Sequence, residues 1–182
     1  MFERLCLEAF QSGLSWHVVL RKRAAMRLAF ADFEVDRVAA FEGADVARIL
    51  GDAGVIRNSA KIEATIANAR RIAELRAQGV SFVDLVWSFR PAPGGVRSPA
   101  AADWQGMPAA TPASEALARA LRRAMLKFVG PTAAYALMQA AGLVNDHFVD
   151  CHVRKQVERE QEAVAVAPPR SPTQESSFAV DS

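Results

Sequence analysis

Apolar residues recur along most of the chain at the three- and four-residue spacing of amphipathic helices. The first stripe consists of Phe2, Leu5, Cys6, Ala9 and Phe10. This pattern predicts a helix that buries one face. No capping residue precedes it, and Gly13 ends it. A second helix is predicted from about Trp16 to Phe30.

Capping signals mark further helices. Asn58 precedes a long amphipathic pattern, and Ser81 with Asp84 opens a short helix. Thr111 followed by Pro112 opens the next, with proline at the first helical position. Residues 90–112 are rich in proline and glycine, which predicts a long irregular connection.

A break at residues 129–131 separates the helix that starts at Pro112 from a last one ending near Gly142. No strand-like alternation of useful length occurs, and alanine is abundant, which favours helix. From Ala163 onward Pro, Ser, Gln and Glu dominate. The predicted organisation is therefore all-α, with one helical domain over residues 1–162 and a disordered tail over 163–182.

Composition narrows the class of protein. No apolar run is long enough to cross a bilayer and no leader peptide is recognisable, so we expect a cytoplasmic protein. The two cysteines give no disulfide framework. The net charge is +2, but residues 1–149 hold 18 Lys and Arg against 14 Asp and Glu. This excess gives mild support to a polyanionic partner.

Residues 127–135 resemble the hairpin of a helix-hairpin-helix motif. Gly130 would let the backbone approach a DNA phosphate, and the next helix would offer free N–H groups. Lys127 would add positive charge and Thr132 a hydroxyl. Such contacts fix a protein on DNA without reading sequence. An ordinary turn between two packed helices fits this segment equally well.

Five blocks in order resemble the DNA-3-methyladenine glycosylase I family over roughly residues 2–152. They are residues 7–16 (LEAFQSGLSW), 52–58 (DAGVIRN), 82–89 (FVDLVWSF), 128–132 (FVGPT) and 138–147 (MQAAGLVNDH). The resemblance implies a helix-hairpin-helix DNA glycosylase fold. It also implies a base-excision-repair enzyme that flips 3-methyladenine out of alkylated double-stranded DNA and hydrolyses its N-glycosidic bond.

Methylation at N3 makes the base cationic and weakens its glycosidic bond, so selective capture matters more than acid catalysis. A carboxylate and aromatic faces suit that task. The resemblance places Glu8 at the catalytic, base-recognising position, Trp16 on a pocket wall and Tyr135 near the pocket. From the residues alone, Glu8 lies off the apolar stripe and would be solvated, while Trp16 and Tyr135 would be core residues.

Leu14, with Gly13 beside it, resembles the apolar wedge that such enzymes insert into the base stack, and we expect both to contact DNA. The family is understood to lack a catalytic aspartate, so Asn145 and Asp146 are interpreted as hydrogen-bonding residues. No lysine lies where a Schiff-base lyase needs one. We therefore expect a monofunctional hydrolase. The sequence has no signal for oligomeric state, so a monomer is the default expectation.

His147 and Cys151 are spaced i, i+4, which would place both on one helical face. In the family they match half of a structural zinc site made of two histidines and two cysteines. We expect the chain to begin inside the family's first helix. The other two ligands would then belong to an upstream segment, and only half of the zinc site is expected here.

Two other interpretations compete with an enzyme. A non-catalytic helix-hairpin-helix remnant would bind DNA in a salt-dependent way without releasing a base. An all-α interaction protein would show no such DNA affinity. One further departure concerns Met125, which stands where the family usually has a glycine. We expect this residue to lengthen the preceding helix and shift the hairpin.

Overall fold

The computed structural model describes residues 1–91 and 107–166, and all regular structure in these two ranges is helical. The α-helices are α1 (Phe2–Gln11), α2 (Trp16–Ala29), α3 (Val35–Ala39), α4 (Gly43–Gly51), α5 (Ser59–Ala77), α6 (Phe82–Trp87), α7 (Pro112–Arg123), α8 (Pro131–Ala140) and α9 (Arg154–Val166). The predicted all-α class is confirmed. In the same ranges, no helix combines the length and apolar character that a membrane span needs.

Helix α1 lies at the centre of the fold. It packs against α2, α5 and α8, and seven of its ten residues are buried. The predicted apolar stripe is buried, but Leu7 and Glu8, which lie off that stripe, are buried as well. The expectation of a single buried face is therefore wrong, because neighbouring helices cover α1 on nearly every side.

An aromatic cluster closes the end of α2. The rings of Phe30 and Phe33 stack at 5.3 Å, and Phe10 packs against Phe30 at 5.9 Å. Residues 31–33 all have positive φ, so the chain makes a left-handed turn here. Arg27 donates two hydrogen bonds to Asp32 across that turn. The cluster and these bonds hold a conformation that L-residues adopt at a cost.

The predicted caps of the later helices are confirmed. Asn58 Oδ1 accepts from the backbone N–H of Lys61 at 3.1 Å at the start of α5. Ser81 caps α6, and Thr111 caps α7 ahead of Pro112. Of the predicted irregular connection over 90–112, residues 92–106 lie outside the described residues.

Helix α7 ends where the sequence predicts that it continues. Met125 has φ of +62°, the N–H of Met125 donates to Arg122 O, and the N–H of Leu126 donates to Leu121 O, both at 2.9 Å. These two bonds form a Schellman motif with Met125 at the left-handed position. The expected lengthening of α7 is therefore wrong, because Met125 takes the backbone conformation in which glycine is usual.

Helix α9 extends beyond the predicted domain boundary at residue 162, as far as Val166. Residues 163–166 read AVAV, and the first proline after them is Pro168, so nothing in this stretch interrupts the helix. Arg90 donates to Gln161 O at 2.8 Å, and Gln161 Nε2 donates to Gly142 O at 2.9 Å. These bonds join α9 to the helical domain. The rest of the predicted tail, residues 167–182, lies outside the described residues.

Candidate functional site

Glu8 is a buried carboxyl group on α1. Only 3% of the residue is exposed, and among the described residues no hydrogen-bond donor partners its Oε2 atom. The prediction from the helical wheel that Glu8 is solvated is wrong, because α1 has no solvent-facing side at this residue. Burial disfavours the charged form and raises the pKa of the Glu8 carboxyl from 4.5 to about 7.

A buried polar atom without a partner costs free energy, and such atoms are uncommon in native proteins. The Oε2 atom of Glu8 is therefore available to accept a hydrogen bond from a ligand. A carboxyl in a low-dielectric site can accept a hydrogen bond, and in its ionised form it can pair with a cation. The arrangement is therefore suited to a cationic ligand that also carries an N–H donor.

The turn that follows α1, residues 11–15, is called here the Leu14 turn. The N–H of Leu14 donates to Gln11 O at 2.7 Å, and Gln11 Nε2 donates back to Leu14 O at 2.8 Å. Gly13 has φ of +80°, which favours glycine at this position. The side chain of Leu14 is 37% exposed, as the sequence predicts.

Trp16 is the first residue of α2, behind the N-cap residue Ser15. It is 38% exposed, so the interpretation of Trp16 as a core residue is wrong. Its position at the tip of a helix, directly after an exposed turn, leaves part of the indole ring uncovered. Leu14 and Trp16 are thus two exposed apolar residues separated by only one position, in the segment that directly follows α1.

Lys61 was not singled out as a site residue from the sequence. Its ammonium group is buried and donates to Phe10 O at 2.9 Å and to Ser12 O at 2.5 Å. These carbonyls belong to the end of α1 and the start of the Leu14 turn. Burial lowers the pKa of Lys61. The sequence signal that could have indicated a buried lysine is its position directly before Ile62, which belongs to the apolar face of the predicted amphipathic helix.

The connection between α7 and α8, residues 124–130, is called here the hairpin. Lys127, Gly130 and the following Thr132 are all exposed. Gly130 has φ of −70°, which any residue adopts, and no atom lies within 4 Å of the Cβ position built on it. The left-handed residues of the hairpin are instead Met125 and Phe128. The absence of a side chain at Gly130 therefore leaves the space beside the backbone open, but the turn does not depend on a glycine at this position.

The first turn of α8 has no side-chain cap. Pro131 occupies its first position and has no N–H, so Thr132 is the first residue of the helix that can donate. Uncapped N–H groups and the positive end of the helix dipole favour an anion at this end.

Asn68 on α5 was also missed from the sequence. Its Oδ1 accepts from the N–H of Lys127 at 2.7 Å, and its Nδ2 donates to Lys127 O at 3.0 Å. One buried side chain thus pairs with both backbone groups of a hairpin residue. One turn further along, Arg71 Nε donates to Ala124 O at 2.9 Å. The hairpin is therefore hydrogen-bonded to α5 at two points.

Tyr135 is buried on α8, and its hydroxyl donates to Asp146 Oδ2 at 2.7 Å. The interpretation of Asp146 as a hydrogen-bonding residue is confirmed. Asn145 likewise donates to Arg154 O at 2.9 Å. The burial of Tyr135 agrees with a core position, and its role on a pocket wall stays a prediction.

His147 and Cys151 lie close together but not on a helix. Their Nδ1 and Sγ atoms are 3.5 Å apart, in the non-helical segment between α8 and α9. The prediction of one helical face is wrong, because a turn in which Cys151 N–H donates to Phe148 O brings the pair together. The described residues contain no group of three or more His, Cys, Asp or Glu side chains that could hold a metal ion.

A cavity of about 670 Å³ adjoins this pair. Arg4 of α1, Met107, Gln139 of α8 and Asp146 line it together with His147 and Cys151. Glu8 and Trp16 do not line this cavity. The structure thus groups the site residues into three places: Glu8 with the Leu14 turn, the hairpin, and the His147–Cys151 pair.

Residues 1–155 match the model of the methyladenine glycosylase family. The chain belongs to this family. It is 46% identical over 151 residues to DNA-3-methyladenine glycosylase 1 of Escherichia coli (strain K12), a match that covers 83% of this chain and 80% of that relative. It is 38% identical over 154 residues to DNA-3-methyladenine glycosylase of Haemophilus influenzae, with 83% of this chain and 80% of the relative covered.

Solved structures of methyladenine glycosylases share the fold. A crystal structure of 3-methyladenine DNA glycosylase I matches with a TM-score of 0.77 and 47% identity, covering 83% of this chain and 82% of that one. The enzyme from Staphylococcus aureus, solved to show how it recognises 3-methyladenine, matches with a TM-score of 0.75 and 28% identity, covering 84% and 80%. The family and the all-helical glycosylase fold predicted from the sequence are both confirmed.

Proposed function

We propose that this protein is a monofunctional DNA-repair glycosylase that hydrolyses the N-glycosidic bond of 3-methyladenine in alkylated double-stranded DNA. Membership of the methyladenine glycosylase family supports the reaction and the DNA substrate. The observation that carries the assignment in this chain is the buried carboxyl of Glu8, whose Oε2 atom has no partner among the described residues. An enzyme that captures a cationic base needs such a group.

The chemistry follows from the charge on the lesion. Methylation at N3 makes the base in DNA a cation, so it leaves C1′ readily with the bonding electron pair and becomes neutral. Ionised Glu8 pairs with the flipped cationic base and distinguishes it from neutral adenine. Water adds to C1′ and gives up a proton. Glu8 is proposed to orient this water or to accept its proton.

The Leu14 turn is proposed to open the base stack. Leu14, supported by Gly13, enters the gap that the flipped nucleotide leaves, because an exposed apolar side chain can replace a lost stacking partner. Trp16 offers its exposed indole face to the cationic base. Tyr135 is proposed as a second aromatic near the base.

The hairpin is proposed to bind the DNA backbone in the manner of a helix-hairpin-helix motif. Thr132 and the uncapped first turn of α8 would donate to a phosphate oxygen, while the open space above Gly130 allows close approach. Lys127 adds positive charge, and the exposed Arg122 and Arg123 at the end of α7 extend the basic surface. These groups would supply the salt-dependent part of the affinity.

His147 and Cys151 are proposed as two ligands of a structural zinc ion. Tetrahedral bonds of about 2.0 Å to nitrogen and 2.3 Å to sulfur separate the two ligand atoms by about 3.5 Å. The observed 3.5 Å fits that value. The described residues supply only this half of a four-ligand site. Such an ion would fix the segment after α8, and the proposed reaction does not use it.

The test is release of free 3-methyladenine from methylated duplex DNA, with Glu8→Gln as the matched variant. We expect release by the wild-type protein and a loss of at least 100-fold in the variant, with DNA affinity changed less than threefold. DNA binding without release by the wild type would instead favour a non-catalytic DNA-binding protein. We also propose that the protein is a monomer and that it acts on cellular DNA in the cytoplasm. Gel filtration tests the oligomeric state by measuring the mass of the protein in solution.

A further inference from the structure

Two buried polar side chains of α5 contact two different loops. Lys61 and Asn68 are seven residues apart, so they lie within about 20° of each other on the helix and about 10 Å apart along it. Lys61 reaches the Leu14 turn, and Asn68 reaches the hairpin. These are the two loops to which the proposed function assigns base opening and DNA binding.

Lys61 satisfies backbone carbonyls that α1 itself cannot. Phe10 O belongs to the last turn of α1, and Ser12 O belongs to its C-cap residue. Carbonyls at a helix end need outside donors, and a cation there also matches the negative end of the helix dipole. Because Ser12 directly precedes Gly13 and Leu14, this contact fixes where the turn leaves the helix that carries Glu8.

The side-chain amide of Asn68 pairs with the backbone N–H and C=O groups of Lys127 in the hairpin. The next residue, Phe128, has φ of +56°, a conformation that bulky residues avoid. Pairing of the Lys127 N–H and C=O with one amide holds the chain just before this unfavourable residue. The contact of Arg71 with Ala124 O fixes the start of the same hairpin.

We propose that Lys61 and Asn68 are positioning residues that hold the Leu14 turn and the hairpin at a set distance from each other on one rigid helix. Asn68 acts on DNA affinity through the hairpin, and Lys61 acts on base opening through the Leu14 turn. This inference rests on the proposed function of the two loops. It requires the two residues to affect different steps, which a general contribution to folding would not produce.

Thr65 provides a matched control. It is buried on α5 between the two positioning residues, and its hydroxyl donates to the carbonyl of Lys61 within the same helix at 2.9 Å. The side chain of Thr65 also hydrogen-bonds with that of Cys6 on α1. Neither of these two partners belongs to the Leu14 turn or to the hairpin. Thr65→Val removes a buried side-chain hydrogen bond without touching either loop. A general loss of stability would therefore change the measured quantities in this variant as well.

The experiment measures two quantities for Lys61→Met, Asn68→Ala and Thr65→Val. The first is affinity for a duplex with an uncleavable abasic analogue as a function of salt. The second is the single-turnover rate of 3-methyladenine release at saturating protein. For Asn68→Ala we expect affinity at least fivefold weaker, a salt slope reduced by about 0.9 because one phosphate contact is lost, and a rate within twofold of wild type.

For Lys61→Met we expect the opposite pattern, with affinity within twofold and a rate reduced at least tenfold. Thr65→Val should change neither quantity more than twofold. Equal changes in both quantities for both loop variants, or the same changes in Thr65→Val, would overturn the proposal. Lys61→Arg and Asn68→Asp keep part of the contacts and serve if the first variants do not fold. They should show the same separation of affinity from rate, with smaller changes. Absence of the split there also contradicts the proposal.

Leu14→Ala and Lys127→Ala separate this inference from the proposed function on which it rests. If Leu14→Ala leaves the rate unchanged and Lys127→Ala leaves affinity and its salt slope unchanged, the loop functions are wrong and the inference is overturned with them. If these variants have their expected effects but those of Lys61 and Asn68 do not, only the positioning roles are wrong.

Discussion

The Tyr135 hydroxyl donates a hydrogen bond of 2.7 Å to Asp146 Oδ2. This bond joins α8 to the segment that leads to His147, and it gives the aspartate after the hairpin helix a structural partner. Tyr135 is buried, so removal of either group leaves the other without this partner. The bond therefore accounts for Asp146 without a catalytic role.

Asp146→Asn is expected to lower the free energy of unfolding by about 1 kcal/mol, since a charge-assisted bond becomes a neutral one. Tyr135→Phe should cost a similar amount, and the double variant less than the sum of the two, because both remove one interaction. Urea unfolding measures all three. A release rate that falls 100-fold in Asp146→Asn with unchanged stability would instead indicate that Asp146 is catalytic.

Met125→Gly is expected to stabilise the protein by about 1 kcal/mol. Met125 has φ of +62° at the end of α7, is 71% exposed and packs little, so glycine removes backbone strain at almost no cost in contacts. Arg123→Gly is the control, because Arg123 is the last residue of α7 and glycine there should destabilise. Thermal unfolding measures both. A lower Tm in Met125→Gly would contradict the role of the Schellman motif.

Glu8→Gln is expected to stabilise the protein above neutral pH. Burial raises the pKa of Glu8 from 4.5 to about 7, so the folded state holds a proton that the unfolded state has lost between these pH values. Wild-type stability therefore falls through that window, by about 3 kcal/mol in total at pH 8. The neutral amide does not incur this cost. The difference between variant and wild type should vanish near pH 4.

Urea unfolding at pH 4.5, 6 and 8 measures this difference. Exposed Glu115, which pairs only loosely with Arg119 at 3.9 Å, gives the control Glu115→Gln, and no comparable pH-dependent gain is expected there. Equal stability of the wild type and Glu8→Gln at pH 8 would show that the Glu8 carboxyl is ionised at little cost.

Most helices and their caps could be predicted from the sequence because their signals are local. Asn58, Ser81 and Thr111 each bond a backbone N–H three residues ahead, and periodic apolar residues follow. The burial of Glu8 could not be predicted this way. A helical wheel assumes one buried face, whereas the number of helices that cover α1 depends on the whole fold.

The contacts of Lys61 and Asn68 could not be predicted from the sequence for a related reason. Their partners are backbone atoms 49 to 59 residues away, and backbone atoms have no sequence signature. The resemblance to the family identified Glu8, but physical interpretation of the residues alone gave the wrong environment for it. The left-handed conformations at Met125 and Phe128 in the hairpin also could not be predicted from the sequence, because neither residue type favours them.

In the proposed reaction, the ionised carboxylate of Glu8 captures a cationic base. The most direct test is the second-order rate constant for 3-methyladenine release from methylated duplex DNA between pH 5.5 and 8.5, for the wild type and for Glu8→Gln. With the pKa of Glu8 raised to about 7, the wild-type rate should rise about tenfold per pH unit below pH 7 and level off above it. Glu8→Gln should be slow and independent of pH. A wild-type rate that falls above pH 7, or a variant as fast as the wild type, would contradict the claim.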